Sequence, residues 1–220
     1  MVSTAQGNDR FSRVYVDIRK QVVTGRFLPG AQIKVAEAAA HLKLSTTPVR
    51  EALSRLVGEG LLEDRRRHGF FVPVPSPYDL IDLYTLMDLF LGAAWKKPDH
   101  GSRPFIPPFA GDNADEPVGA DPARDLFSGI LRRSNNFALI ETGERALDRL
   151  ASARRAEPLV LGCCDEELGL LREALNRGDR DPLFALVRSY HRRRKAHAPQ
   201  LSYVIANRSA AAEEYIQNIV

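Results

Sequence analysis

Residues 44–60 constrain this chain more than any other stretch. Leu44-Ser45-Thr46-Thr47-Pro48 leads into Val49-Arg50-Glu51-Ala52-Leu53-Ser54-Arg55-Leu56, and Gly58 and Gly60 follow. Serine is a favoured helix N-cap, and proline is tolerated in the first helical turn. Val49, Ala52, Leu53 and Leu56 recur at helical spacing, so one face of this helix belongs to a core. Arg50, Glu51, Ser54 and Arg55 fall on its other faces. Before it, Val14, Ile18, Val22 and Val23 predict a helix over 13–24, stopped by Gly25 and a turn at Pro29-Gly30. The alanine-rich segment 35–42 predicts a second helix, and Lys43-Leu44 a short break. After it, 61–64 reads as a strand, Arg65-Arg66-Arg67-His68-Gly69 as a charged hairpin tip, and 70–74 as the returning strand. Three helices and a β-hairpin wing in this order make a winged helix-turn-helix.

Pro73, Pro75 and Pro77 mark a stiff linker, so the chain divides into domains at residues 1–76 and 77–220. The second part is expected to be an all-α bundle. Helices are predicted over 78–94, 122–133, 137–154, 158–177, 181–197 and 201–219, with a Pro/Gly-rich loop over 96–121. The fold class is therefore mainly α.

Charge is unevenly placed. Residues 1–76 hold 12 Lys/Arg against 7 Asp/Glu, a net +5, whereas residues 77–220 hold 19 against 21, a net −2. A polyanion would be drawn to the first third. No run approaches the roughly 18 apolar residues of a membrane span, and Met1 to Arg13 lacks the apolar core of a signal peptide, so the sequence reads as cytoplasmic with no membrane partner. The adjacent Cys163 and Cys164 lack metal-ligand spacing, and a disulfide between neighbours is strained; they read as small packing residues on a helix. No nucleophile elbow, phosphate loop or HExxH motif is present, and His100, His191 and His197 stand in no recognisable catalytic arrangement, so an enzyme is not expected.

The stretch from Leu44 to Leu56, continuing through Gly60-Leu61-Leu62, resembles the GntR family of bacterial transcription regulators. Upstream, Gly25-Arg26-Phe27-Leu28-Pro29-Gly30 resembles that family's G-x-[FL]-x-P-G turn. Downstream, His68-Gly69-Phe70-Phe71-Val72 resembles its R-G-[AT]-[FY]-V wing. The resemblance implies that the helix starting near Thr46 lies in the major groove of DNA. Arg50 would then make a bidentate contact with guanine or a phosphate, and Ser45, Thr46 and Thr47 hydroxyl contacts with phosphates. Arg55 would reach the backbone or the wing side. Arg65, Arg66, Arg67 and His68 would approach an adjacent minor groove, with Gly69 allowing the tight turn. The family often carries Arg where Thr46 and Ala38 stand here, so operator preference is expected to be unusual.

Residues 78–220 resemble, more loosely, a diverged member of the all-helical effector-binding and dimerisation type named after the fatty-acid regulator FadR, the FCD type. Asp82-Leu83-Tyr84, the run from Glu173 to Asp179, and His191 carry this likeness. Many such domains hold a divalent metal through one Asp and three His. Here the D-x-x-F-H motif reads Arg124-Asp125-Leu126-Phe127-Ser128, the E-H motif falls at Glu167-Leu168, and His191 remains. The metal site is therefore expected to be lost, and no cofactor is expected. Arg124, Ser128 and His191 are left as candidate effector contacts. Met87 and Leu91 replace family Arg and Glu, which makes that wall more apolar.

The expected function is a sequence-specific DNA-binding transcription regulator. It would be a ligand-responsive repressor acting as a homodimer on a short palindromic operator, its partners being double-stranded DNA, a second copy and a small-molecule effector. The alternative is an effector-independent or architectural winged-helix protein serving protein assembly, with weak, salt-sensitive DNA binding indifferent to sequence.

Overall fold

A computed structural model describes residues 3–95, 121–178 and 180–217, with side chains for 11–95, 121–178 and 180–208. These fall into two compact units. The first contains residues 3–74 and 206–217, the second 75–95, 121–178 and 180–205. The loop expected at 96–121 lies outside the described residues except for Asp121.

The first unit runs α1 (Ser3–Val23), β1 (Gln32–Ile33), α2 (Val35–Leu42), α3 (Thr46–Gly58), β2 (Glu63–Arg65) and β3 (Gly69–Phe71). Val14, Ile18, Val22 and Val23 of α1 are buried with Val49, Ala52, Leu53 and Leu56 of α3, as their spacing predicts. A polar clamp reinforces the α1–α3 contact. The Tyr15 hydroxyl donates to Glu59 Oε2 at 2.7 Å, Arg55 Nε donates to Glu59 Oε1 at 3.1 Å, and the Arg55 guanidinium lies 4.4 Å from the Tyr15 ring centroid. Burial, followed by the bond to the Glu59 carboxylate, raises the Tyr15 phenol well above its ordinary value, so it stays a donor.

Two features of this unit differ from the sequence expectation. The first helix begins at Ser3 rather than near Arg13, because residues 3–10 carry no apolar stripe to mark it. The wing is also a three-stranded sheet of order β1-β3-β2, not a bare hairpin. β1 pairs antiparallel with β3 (Gln32 with Phe71, Ile33 with Phe70), and the Gly30 N–H donates to Val72 O at 2.7 Å. A two-residue strand is too short for an alternation signal.

The second unit contains α4 (Pro77–Ala94), α5 (Pro122–Arg132), α6 (Phe137–Arg149), α7 (Ala151–Leu161), α8 (Cys164–Arg177), α9 (Arg180–Ala196) and the start of α10 (Ala198–Gln217). Its described elements are all helical. Ser76 and Asp79 form a reciprocal capping box at the start of α4. Leu80, Leu83, Met87 and Leu91 of α4 sit in a core with Phe127, Ile130 and Leu131 of α5, Leu147 of α6, and Leu183 and Val187 of α9.

The region expected as helices 137–154 and 158–177 is three helices. Pro158 does not open a helix; it lies inside α7 with its ring at the surface, and the break comes at Gly162, whose φ is +73°. Cys163 and Cys164 are free thiols at that break. Cys163 is exposed and Cys164 half-buried, so they are not the packed helical pair expected.

A buried ionic cluster ties four helices of this unit together. The Glu157 carboxylate of α7 accepts from the Tyr84 hydroxyl of α4 at 2.9 Å, from the Tyr190 hydroxyl of α9 at 3.2 Å, and from Arg194 of α9 at 2.9 Å. Arg194 is fully buried and also reaches Glu167 of α8 at 2.8 Å. Breaking a buried pair leaves an uncompensated charge and costs about 3–5 kcal/mol. Arg194→Met is expected to lose that much in urea unfolding, and adding Glu157→Gln to recover part of it. Equal losses in the single and double variants would contradict the pairing.

Candidate functional site

The helix-turn-helix is set by the way α2 ends. Lys43 adopts a left-handed conformation, φ 55°, while its N–H donates to Ala40 O at 3.2 Å and the Leu44 N–H to Ala39 O at 3.0 Å. This paired capping closes α2 and reverses the chain into α3. Ser45 occupies the N-cap position of α3 as expected, with φ −73° and ψ 163°, but its hydroxyl makes no cap bond. The hydroxyl is left at the surface. Thr46 and Thr47 beside it, in the first turn, are also exposed.

One turn further, Arg50 is exposed while Val49, Ala52 and Leu53 around it are buried. Its guanidinium has no partner among the described residues. The start of α3 therefore presents three hydroxyls, an unpaired guanidinium and helix-terminal N–H groups in one place. Such an assembly suits an anionic, hydrogen-bonding surface.

The other candidates of the first unit separate into two groups. Arg55 is drawn inward by Glu59 and Tyr15, and Arg65 lies 4.4 Å from the Phe71 ring centroid while pairing with Glu63 at 3.2 Å. Both are engaged within the unit. Arg66, Arg67 and His68 are exposed at the wing tip with their side chains unpartnered among the described residues. The His68 N–H donates to Arg65 O at 2.8 Å to close the turn, Arg67 takes φ +66°, and Gly69 takes φ +90°. Gly69 is needed for that angle rather than for space. Gln32, which carries no motif signal in the sequence, donates from its amide to His68 O at 2.6 Å. No local pattern marks a contact between residues so far apart in the chain.

In the second unit the three candidate effector residues are taken up internally. Arg124 reaches Glu144 at 2.9 Å and Asp148 at 3.1 Å. Ser128 donates to Glu144, and Arg132 binds the same carboxylate at 3.3 Å. His191 is 1% exposed; its Nδ1 sits 2.8 Å from Val187 O, and the rings of Tyr84, Phe127 and Tyr190 surround it. Met87 and Leu91 are buried core residues.

The divalent metal that an FCD-type resemblance would imply does not fit here: Arg124, Ser128, Leu168 and His191, at the positions it would assign, offer a guanidinium, a hydroxyl, an alkyl chain and one imidazole. The Arg124 guanidinium is itself a fixed cation paired with two carboxylates.

Residues 11–72 match the model of "Bacterial regulatory proteins, gntR family". The chain is 48% identical over 64 residues to the Nta operon transcriptional regulator of Aminobacter aminovorans, covering 29% of this chain and 30% of that protein. It is 36% identical over 161 residues to a Paenarthrobacter nicotinovorans protein described as "Probable D-xylose utilization operon transcriptional repressor", covering 67% of this chain and 71% of the relative. The chain thus spans under a third of the first relative and over two thirds of the second. A Rhodococcus sp. RHA1 structure described as a GntR transcriptional regulator superposes with a TM-score of 0.63 at 19% identity, covering 86% of this chain and 97% of the other, a likeness of fold.

Burial, with a further contribution from the charge of Arg194, lowers His191 from 6.5 to about 4, so it stays neutral. Between those values the unfolded chain binds a proton that the folded chain does not. This contribution is therefore complete above pH 6.5 and is lost as pH falls toward 4, about 3 kcal/mol in all. His191→Gln is expected to flatten the pH dependence of urea unfolding over that window. An unchanged slope in the variant would assign the dependence to other groups.

Proposed function

The chain belongs to the GntR family of bacterial regulatory proteins, and from that premise we propose that it is a sequence-specific DNA-binding transcription regulator, a repressor, whose α3 enters the major groove of its operator. The observation that carries this reading is Arg50, exposed and without a partner among the described residues, on the outer face of a helix whose inner face is locked into a core. In the groove its planar fork matches guanine O6 and N7, while Ser45, Thr46 and Thr47 meet phosphates. Arg66, Arg67 and His68 extend the contact from the wing toward the minor groove, with Gly69 holding their turn. Arg55 and Arg65 serve this surface indirectly, by fixing α3 and the wing from within.

Residues 1–76 form the DNA-binding domain in this proposal, and residues 77–220 the dimerisation and effector domain. Two copies related by a two-fold axis would place two α3 helices on a short palindrome.

A second reading, regulation without a small-molecule effector, is favoured by one observation. Arg124 and Ser128 are held by Glu144 and Asp148, and His191 Nδ1 lies against Val187 O. Under that reading, Zn²⁺ with a dicarboxylate leaves both DNA affinity and thermal stability unchanged. A shift in either would restore effector control.

The reading is tested by fluorescence anisotropy of the protein against duplex DNA from immediately upstream of its own gene and a scrambled duplex, each at two salt concentrations. Tight binding to the first alone, weakened by about 1–3 kcal/mol in Arg50→Ala, is expected. Equal, salt-sensitive binding to both duplexes, unchanged in the variant, would favour an architectural winged-helix protein serving assembly.

A further inference from the structure

We propose that Gln32 is a positioning residue that latches the wing tip and so aims Arg66 and Arg67 at the duplex; this rests on the DNA-binding reading above. The tip, residues 66–68, projects past the paired strands, which end at Arg65 and Gly69. None of its side chains enters the core, and Arg67 holds a positive φ that costs a residue with a Cβ about 1–2 kcal/mol. A turn with these properties needs support from outside itself.

Two flanking contacts supply it. On the β2 side, the Arg65 guanidinium stacks on Phe71 and pairs with Glu63. On the β1 side, the Gln32 amide donates to His68 O at 2.6 Å and lies against Gly69.

Gln32 is itself exposed, and its strand is two residues long. Its side chain therefore adds nothing to a hydrophobic core; it makes this bond instead, which connects residues 36 apart in sequence. The bond turns β1 from a short edge strand into a brace for the tip. A tip fixed before binding loses less conformational freedom on contact, and that saving is read as affinity. The same bond leaves the Arg66, Arg67 and His68 side chains free to point outward, because it takes a backbone oxygen and none of their donors.

The test replaces Gln32 with methionine, which keeps length and neutrality but removes the donor. Anisotropy is measured on the upstream duplex in two backgrounds: the otherwise wild-type chain and the Arg66→Ala/Arg67→Ala chain. Hydrogen exchange is followed over residues 65–69 in parallel. A latch acting through the wing predicts roughly three- to tenfold weaker binding for Gln32→Met in the wild-type background. It predicts no further loss when both arginines are already gone, and faster exchange of the 65–69 amides with an unchanged thermal melt.

Unchanged affinity in Gln32→Met overturns the proposal. So does the same loss in both backgrounds, which would mean that Gln32 acts on DNA or on α3 without the wing. Failure of the wild-type chain to prefer the upstream duplex over the scrambled one is a separate outcome: it overturns the DNA-binding reading itself, while unchanged 65–69 exchange in Gln32→Met would still overturn the latch.

Discussion

Burial of one face of α3 is the constraint from which the rest of the first unit follows. Val49, Ala52, Leu53 and Leu56 are all fully enclosed, chiefly by α1, so the helix cannot rotate about its axis without exposing apolar surface. That fixes which side chains look outward. Arg50 is outside because its neighbours are inside. Arg55 shows how finely this is set: five residues along, its guanidinium folds back onto Tyr15 and Glu59 and strengthens the same contact. Of two arginines on one helix, one braces and one presents.

The second unit is organised by a different force. Its centre holds charge as well as hydrocarbon. Glu157, Arg194, Tyr84 and Tyr190 satisfy one another within a core otherwise made of aliphatic side chains, Met87 and Phe127. Such a cluster adds little net stability compared with apolar residues of the same shape, but it penalises any packing that separates its members. It therefore selects one arrangement of α4, α7, α8 and α9. Near the bundle surface, Arg124 and Ser128 do the same for α5 and α6 through Glu144 and Asp148.

The parts legible in the sequence are those written by local periodicity or by a long motif. The α3 stripe, the Pro29-Gly30 turn and the charged wing tip each announce themselves within a few residues. What stayed hidden depends on partners far apart in the chain. β1 is too short to alternate, and Gln32 matters only because His68 lies beside it. Pro158 looks like a helix start, yet α7 runs through it and the break falls at Gly162, where φ is +73°. Nothing local separates the members of the run Arg192-Arg193-Arg194, but successive helical residues point about 100° apart. Arg192 is exposed, Arg193 half-buried, and Arg194 is the most enclosed arginine among the described residues. His191 illustrates the same limit, since its burial among three rings could not be read from its neighbours in sequence.

In the proposed complex α3 reads base edges through Arg50 rather than merely resting on phosphates. Dimethyl sulfate methylation interference on the upstream duplex addresses this most directly, because N7-methylated guanine blocks a bidentate arginine in the major groove and leaves the phosphates intact. A bidentate Arg50 contact predicts two symmetry-related guanine positions at which methylation abolishes binding by the wild-type chain, and loss of that sensitivity in Arg50→Ala. Binding that persists undiminished whichever guanines are methylated would contradict it and reduce α3 to a backbone contact.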